Sequence, residues 1–278
     1  MPSMEATEKT LRAQSVQLRR HVIERSKAAD IGHIGSGLSI ADILTALYGR
    51  VLNVEDLDAP DRDRFVLSKG HAALALYVAL HQAGHLSQEQ LESFCTEGSE
   101  LTGHPEHTLA GIEFSTGSLG HGLGYGAGDA LAARLQKSPH RSFVLLSDAE
   151  LNEGSVWEAA MFAAHHKLSS LVAIVDANGQ QALGHTEDVL DLEPLDERWR
   201  SFGWDVHTVE GNDPDAIAEL LEGLDYESGP PHAVIARTTF GSGISYMEGK
   251  IHWHYWPMDD DQYEQALSEL DEMAANGR

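Results

Sequence analysis

Two apolar runs end in oxygen-bearing side chains. Ser142–Ser147 (SFVLLS) leads into Asp148, and Leu171–Asp176 (LVAIVD) leads through Asp176 to Asn178. If these runs are neighbouring parallel strands, their carboxyl ends bring Asp148 and Asn178 together, where open α/β sheets bind ligands. A carboxylate, an amide oxygen and a nearby backbone carbonyl are hard donors. They suit Mg²⁺ or Ca²⁺ rather than Zn²⁺. Mg²⁺ keeps open positions for water and phosphate oxygens, which makes a diphosphate a natural companion ligand. The same residues admit a plainer role, with Asp148 capping the next helix and Asn178 turning with Gly179.

Glycines give a second signal. In GSLGHGLGYGAG, Gly117 and the five glycines that follow by Gly128 surround a helix start, where backbone can approach a ligand closely and anions are favoured. The spacing is not that of a dinucleotide fingerprint, and tight helix packing would explain it without a ligand. Histidine is the third signal: of 16 in the chain, His33, His71 and His104 each stand next to glycine. Loops of that kind present imidazole for proton transfer or phosphate contact. The pairs His104/His107 and His252/His254 lack the third ligand and helical context of a zinc site. No G-x-S-x-G elbow and no Walker A sequence is present, and Cys95 has no nucleophile motif around it.

Positioning these groups requires alternating strands and helices. Helices are expected over 5–30, Ser39–Arg50, His71–Gly84, Ser118–Lys137, Gly154–Leu168, Leu195–Phe202, Pro214–Leu224 and Gln262–Met273. Strands are expected at Arg64–Ser68, Ser142–Ser147, Leu171–Asp176, Trp204–Glu210 and His232–Thr239. Gly32, Gly35 and Gly37 read as a break, and 98–117 reads as loop. Apolar strands alternating with helices imply an α/β fold, a three-layer α/β/α arrangement with a mostly parallel central sheet. Nothing reads as a linker, so 1–278 is expected to be a single domain.

With 19 Lys and Arg against 44 Asp and Glu, the net charge is −25, which disfavours nucleic acid and anionic membranes as partners. The polar N-terminus lacks an apolar signal region, and no apolar run is long enough to span a bilayer. With one cysteine and therefore no intrachain disulfide, the expected location is cytoplasmic.

Taken in order, the motifs resemble the transketolase family, and more closely the N-terminal subunit of a split transketolase. They are GHIGSGLS (32–39), DRFVLSKGH (63–71), TGHPE (102–106), STGSLGHGLG (115–124), SDAELNEGSVWEAAMFAAHHKL (147–168) with VDANGQ (175–180), DLEPLDERWRSFGWDVHTVEGND (191–213) and SYMEGKIHWHYWPMDDDQYEQAL (245–267). The resemblance implies thiamine diphosphate with Mg²⁺ (or Ca²⁺). Asp148 and Asn178 would bind the metal through side chains and Gln180 through its backbone carbonyl. Backbone near Gly117, Ser118 and Leu119 would meet the aminopyrimidine, with Ala149 and Glu150 beside the diphosphate. His33, His71, His104 and His254 would line the channel for diphosphate, thiazolium and substrate. Glu153 and Glu158 would join an acidic network between two active sites. The implied reaction moves a two-carbon ketol unit from a ketose (phosphate) to an aldose (phosphate). It requires a separate pyrimidine-domain subunit, in an α2β2 assembly, and the single chain is expected to be inactive. Two departures stand out: Ala149 replaces the glycine usual after the motif aspartate, and Tyr255 and Trp256 follow His254 where many full-length members have glycine. A specialised-metabolism transferase acting on a carrier or unusual sugar, and a non-catalytic metal- or phosphate-binding scaffold, are the alternatives.

Overall fold

The computed structural model describes residues 10–276. In chain order the elements are α1 (Leu11–Ala29), α2 (Ile34–Ser39), α3 (Ala41–Ala46), β1 (Arg64–Leu67), α4 (Ala73–Gln82), α5 (Gln88–Glu92), α6 (Gly122–Gln136), β2 (Ser142–Ser147), α7 (Gly154–His165) and β3 (Leu171–Ala177). There follow β4 (Gln180–Gln181), β5 (Gly184–His185), α8 (Thr186–Leu190), α9 (Leu195–Ser201), β6 (Asp205–Glu210), α10 (Pro214–Glu222), β7 (His232–Arg237) and α11 (Asp260–Ala275).

The apolar runs form a five-stranded sheet in the order β1-β2-β3-β7-β6, and every pairing in it is parallel. β2 and β3 are buried along their whole length, as a strand covered on both faces must be. Alternate residues feed two cores. Phe143, Leu145, Val172, Ile174 and Val234 pack with α1, α3, α4 and α10, whereas Val144, Leu146, Ala173, Val175 and Ile235 pack with α6, α7 and α9. This is the expected three-layer α/β/α arrangement.

Several local expectations change. Residues 5–9 of the first expected helix lie outside the described residues, and α1 is described from Leu11, capped by Thr10. The glycine-rich segment is largely helical, since Gly35 and Gly37 lie inside α2. A Cβ at Gly35 would stand 2.2 Å from the Phe240 ring, so this glycine serves close packing rather than a chain break. The helix expected over Ser39–Arg50 is divided at Ile40, and Leu47–Val51 is a π-helical turn. The helix expected from Ser118 begins only at Gly122. Among the described residues no helix is long and apolar enough to cross a membrane.

Candidate active site

Strand pairing sets the geometry of the two tips. Ser147 stands opposite Asp176 in the β2–β3 register, so Asp148 and Asn178 leave adjacent strands at the same end of the sheet. Asp148 is 7% exposed. Its Oδ1 accepts from the Ala149 N–H at 2.8 Å and its Oδ2 from the Gly179 N–H at 2.7 Å. The capping and turn roles are therefore both present, and Asn178 Oδ1 likewise accepts from the Gln180 N–H at 2.9 Å. Burial, and after it the charge of Asp176, pushes the Asp148 carboxyl up to about 7. No cationic side chain pairs with it among the described residues.

A fully buried pair lies beneath the tips. Lys69 Nζ is 2.6 Å from Asp176 Oδ2, with the two side chains 1% and 0% exposed. Asp176 Oδ2 also accepts from Ser39 Oγ at 2.8 Å and from Asn178 Nδ2 at 2.7 Å, while Thr238 Oγ1 donates to Oδ1. The contact between Nδ2 and the carboxylate fixes the Asn178 amide, because Nδ2 must face Asp176 and Oδ1 is left on the Gln180 side. Lys69 also donates to the Ser36 carbonyl at 3.2 Å, which joins the strand tips to α2. Lys69 carries no motif signal of its own in the sequence. A lysine directly after the apolar run of β1 is its one conspicuous feature, since such a residue must be paired if the strand end is buried.

The donor set fits a hard divalent cation. Asp148 is a buried carboxylate held only by backbone N–H groups, and a cation would supply the charge it lacks. Asn178 adds an oriented amide oxygen. Gln180, assigned a carbonyl role, begins the short β4–β5 hairpin; its Nε2 contacts His185 Nδ1 at 2.8 Å, and its buried Oε1 has no partner. Ala149 is not among the residues with positive φ and opens a short 3₁₀ turn, so its methyl group causes no backbone strain.

Three of the four expected histidines meet. His33, His71 and His254 have ring centroids 5.2–5.4 Å apart. His33 is held in the left-handed region (φ 62°) immediately before α2. His104 is exposed, packs against Gly117 and shares a cavity of about 200 Å³ with His33 and His71. Burial lowers the basicity of all three clustered rings. His254 falls to about 4, with His33 and Lys69 adding to the effect; His71 lies well below its ordinary value, with Lys69 next in importance; His33 is lowered further by His104. The cluster is therefore neutral at pH 7, with each ring both donor and acceptor.

The remaining residues divide by exposure. Gly117 and Ser118 are exposed and Leu119 half-buried, ahead of α6. Glu150 is fully buried and accepts from Ser68 Oγ and from the Gly120 N–H at 2.7 Å, so its carboxylate anchors this loop from within. Gly120 has φ 87°, and a Cβ there would stand 2.6 Å from Ser155 Oγ. Glu153, just before α7, and Glu158, within it, are exposed, and their side chains have no hydrogen-bond or ion-pair partner among the described residues. Tyr255 and Trp256 are 53% and 59% exposed. Tyr255 donates to the Ala182 carbonyl at 2.8 Å, and Trp256 stacks on His252.

Comparison with known proteins identifies the family. The family model described as "Transketolase, thiamine diphosphate binding domain" matches residues 11–271. The chain is 44% identical to an apulose-4-phosphate transketolase subunit from Phocaeicola vulgatus, over 95% of this chain and 94% of that one. It is 36% identical to the 6-deoxy-6-sulfo-D-fructose transketolase subunit SqwG of a Clostridium species, over 95% and 98% of the two chains. The crystal structure of Campylobacter jejuni transketolase superposes with a TM-score of 0.88 at 32% identity, covering 94% of this chain and 42% of that one. The chain thus spans less than half the length of that solved enzyme. It belongs to the transketolase family, as a thiamine diphosphate-binding domain.

Proposed function

We propose that the chain is one single-domain subunit of a cytoplasmic, split transketolase. It transfers a two-carbon ketol unit from a ketose to an aldose only when joined to a separate pyrimidine-domain subunit, in an α2β2 assembly. The observation that carries this reading is the adjacency of Asp148 and Asn178, linked through Asp176 and Lys69 to α2, the helix that His33 precedes. Asp148, Asn178 and the Gln180 carbonyl would hold Mg²⁺ (or Ca²⁺), and Gly117, Ser118 and Leu119 would meet the aminopyrimidine through their backbone. Ala149 and Glu150 would lie beside the diphosphate, with Glu150 keeping the Gly120 turn in place.

Bound thiamine diphosphate supplies the carbanion chemistry, which a protein side chain cannot. The chain's own residues orient and protonate. Neutral His33, His71 and His254, with His104 at the cavity edge, can donate to a developing oxyanion and accept from substrate hydroxyls without carrying charge into the site. Glu153 and Glu158 are exposed where a facing subunit can reach them.

Tyr255 and Trp256, two bulky exposed rings that directly follow His254 in the chain, favour a specialised sugar over the common sugar phosphates alone. The names of the subunit-type relatives, which specify apulose 4-phosphate and 6-deoxy-6-sulfo-fructose, support the same reading. The test is ketol transfer by the purified chain, alone and with a companion pyrimidine-domain chain. Donors are xylulose 5-phosphate (with ribose 5-phosphate as acceptor), apulose 4-phosphate and 6-deoxy-6-sulfo-fructose. Turnover by the pair alone is expected, and preference for an unusual donor would support the specialised reading. Robust turnover by the single chain would contradict a split enzyme. Failure of the pair to bind thiamine diphosphate with Mg²⁺ would leave a non-catalytic scaffold.

A further inference from the structure

We propose that Asp205, His207 and His232 form a second metal site, for a divalent transition ion of the zinc class, at the end of the sheet opposite the strand tips that carry Asp148 and Asn178. β6 and β7 run parallel with Asp205 opposite His232 in register. Side chains two residues apart share a strand face, so Asp205, His207 and His232 project from the same side of the sheet. One ligand atom from each lies within 4.8 Å of the other two.

The spacing and the tautomer both point to a cation. Asp205 Oδ2 is 3.0 Å from His207 Nε2 and 3.3 Å from His232 Nδ1. Bonds of roughly 2.0–2.1 Å to tetrahedral zinc would separate ligand atoms by roughly 3.3 Å. His232 is 2% exposed, and its Nε2 lies 2.9 Å from the Asp225 carbonyl, a group that can only accept. That contact places the proton on Nε2 of the neutral ring. Its Nδ1 lone pair then faces a carboxylate oxygen, and Nδ1 is a buried nitrogen without a hydrogen-bond partner. Two electron-rich atoms in that position repel unless a cation lies between them. A backbone carbonyl holding the far N–H is also the outer contact that orients metal-binding histidines. Two imidazoles and one carboxylate select zinc-class ions over Mg²⁺, and the exposed side of Asp205 leaves room for water as a fourth ligand. Such an ion would clamp edge strand β6 to β7.

The test is titration of the full-length, metal-free chain with Co²⁺, without thiamine diphosphate, followed by displacement with Zn²⁺ and by thermal unfolding. The expected result is one equivalent of Co²⁺ giving visible ligand-field bands, loss of those bands on adding Zn²⁺, and a higher unfolding midpoint with either ion. D205N and H207Q change exposed or half-exposed side chains and should fold; each should weaken binding at least about tenfold. D148N should leave the bands unchanged. Absence of bands at one equivalent would overturn the proposal and leave a proton rather than a metal between Asp205 and His232. Bands that persist unchanged in D205N and H207Q would also overturn it, placing the ion on other side chains.

Discussion

Lys69 shows how a residue can govern a site without facing a ligand. Its ammonium group neutralises Asp176, and Asp176 in turn orients the Asn178 amide. Replacing one member of a buried pair strands the other charge, at a cost of about 3–5 kcal/mol. K69M should therefore lower unfolding stability in urea by that amount, and K69M/D176N should recover most of the loss. A K69M chain within about 1 kcal/mol of wild type would contradict this. His21 gives a prediction of a different kind. Burial, and then the charges of His81, Arg25 and Arg20, lower it from 6.5 to about 4, and Glu24 also faces it. The fold thus favours the neutral ring: its contribution is complete above pH 6.5 and is lost as pH falls toward 4, because the unfolded chain takes up the proton first. Relative to H21Q, wild type should lose stability through that window, read as the difference in urea midpoint between the two proteins at each pH. Asp148, Asn178, His33, His71 and His104 are legible in the sequence because strand ends and glycine-flanked loops single them out, whereas His254, between Trp253 and Tyr255, owes its place to the family resemblance. Lys69 is not, since its importance depends on a partner more than a hundred positions away.

At the scale of elements, strands are the most legible, because continuous apolar runs are constrained by burial on two faces. Helix starts are less so. Gly35 and Gly37 carry low helix propensity, yet α2 forms through them, and at Gly35 the Phe240 ring packs so close that only a bare backbone fits. G35A should lower stability by about 1–3 kcal/mol, the usual cost of overpacking, measured by urea unfolding. Wild-type stability in G35A would mean that Phe240 moves aside freely. α6 starts four residues later than expected because the buried Glu150 carboxylate holds the preceding loop at Gly120, an interaction that local propensity does not contain. α5 is not among the expected helices, although its Ser87–Gln90 capping box is written in the sequence as S-x-x-Q.

For the whole molecule, the parallel five-stranded sheet follows from the alternation of strands and helices, whereas the strand order does not: β7 returns between β3 and β6. That return puts His232 beside Asp205 and His207, a juxtaposition invisible in a linear chain. Assembly belongs to this scale as well. Met161 and Phe162 on α7 are 54% and 41% exposed, three and four residues after the exposed Glu158 of the same helix. Mixed with its companion chain, the protein should elute as a heteromeric species of α2β2 mass, measured by light scattering; separate elution would contradict the proposed assembly. The central claim, that the tips of β2 and β3 together hold the cation for a diphosphate, is tested most directly by calorimetric titration of thiamine diphosphate into the assembled pair. Titrations are made with Mg²⁺ and with EDTA, for wild type and for D148N. Tight binding by wild type with Mg²⁺, lost in EDTA and weakened at least about tenfold in D148N, is the predicted result. Equal affinity in all four titrations would contradict it.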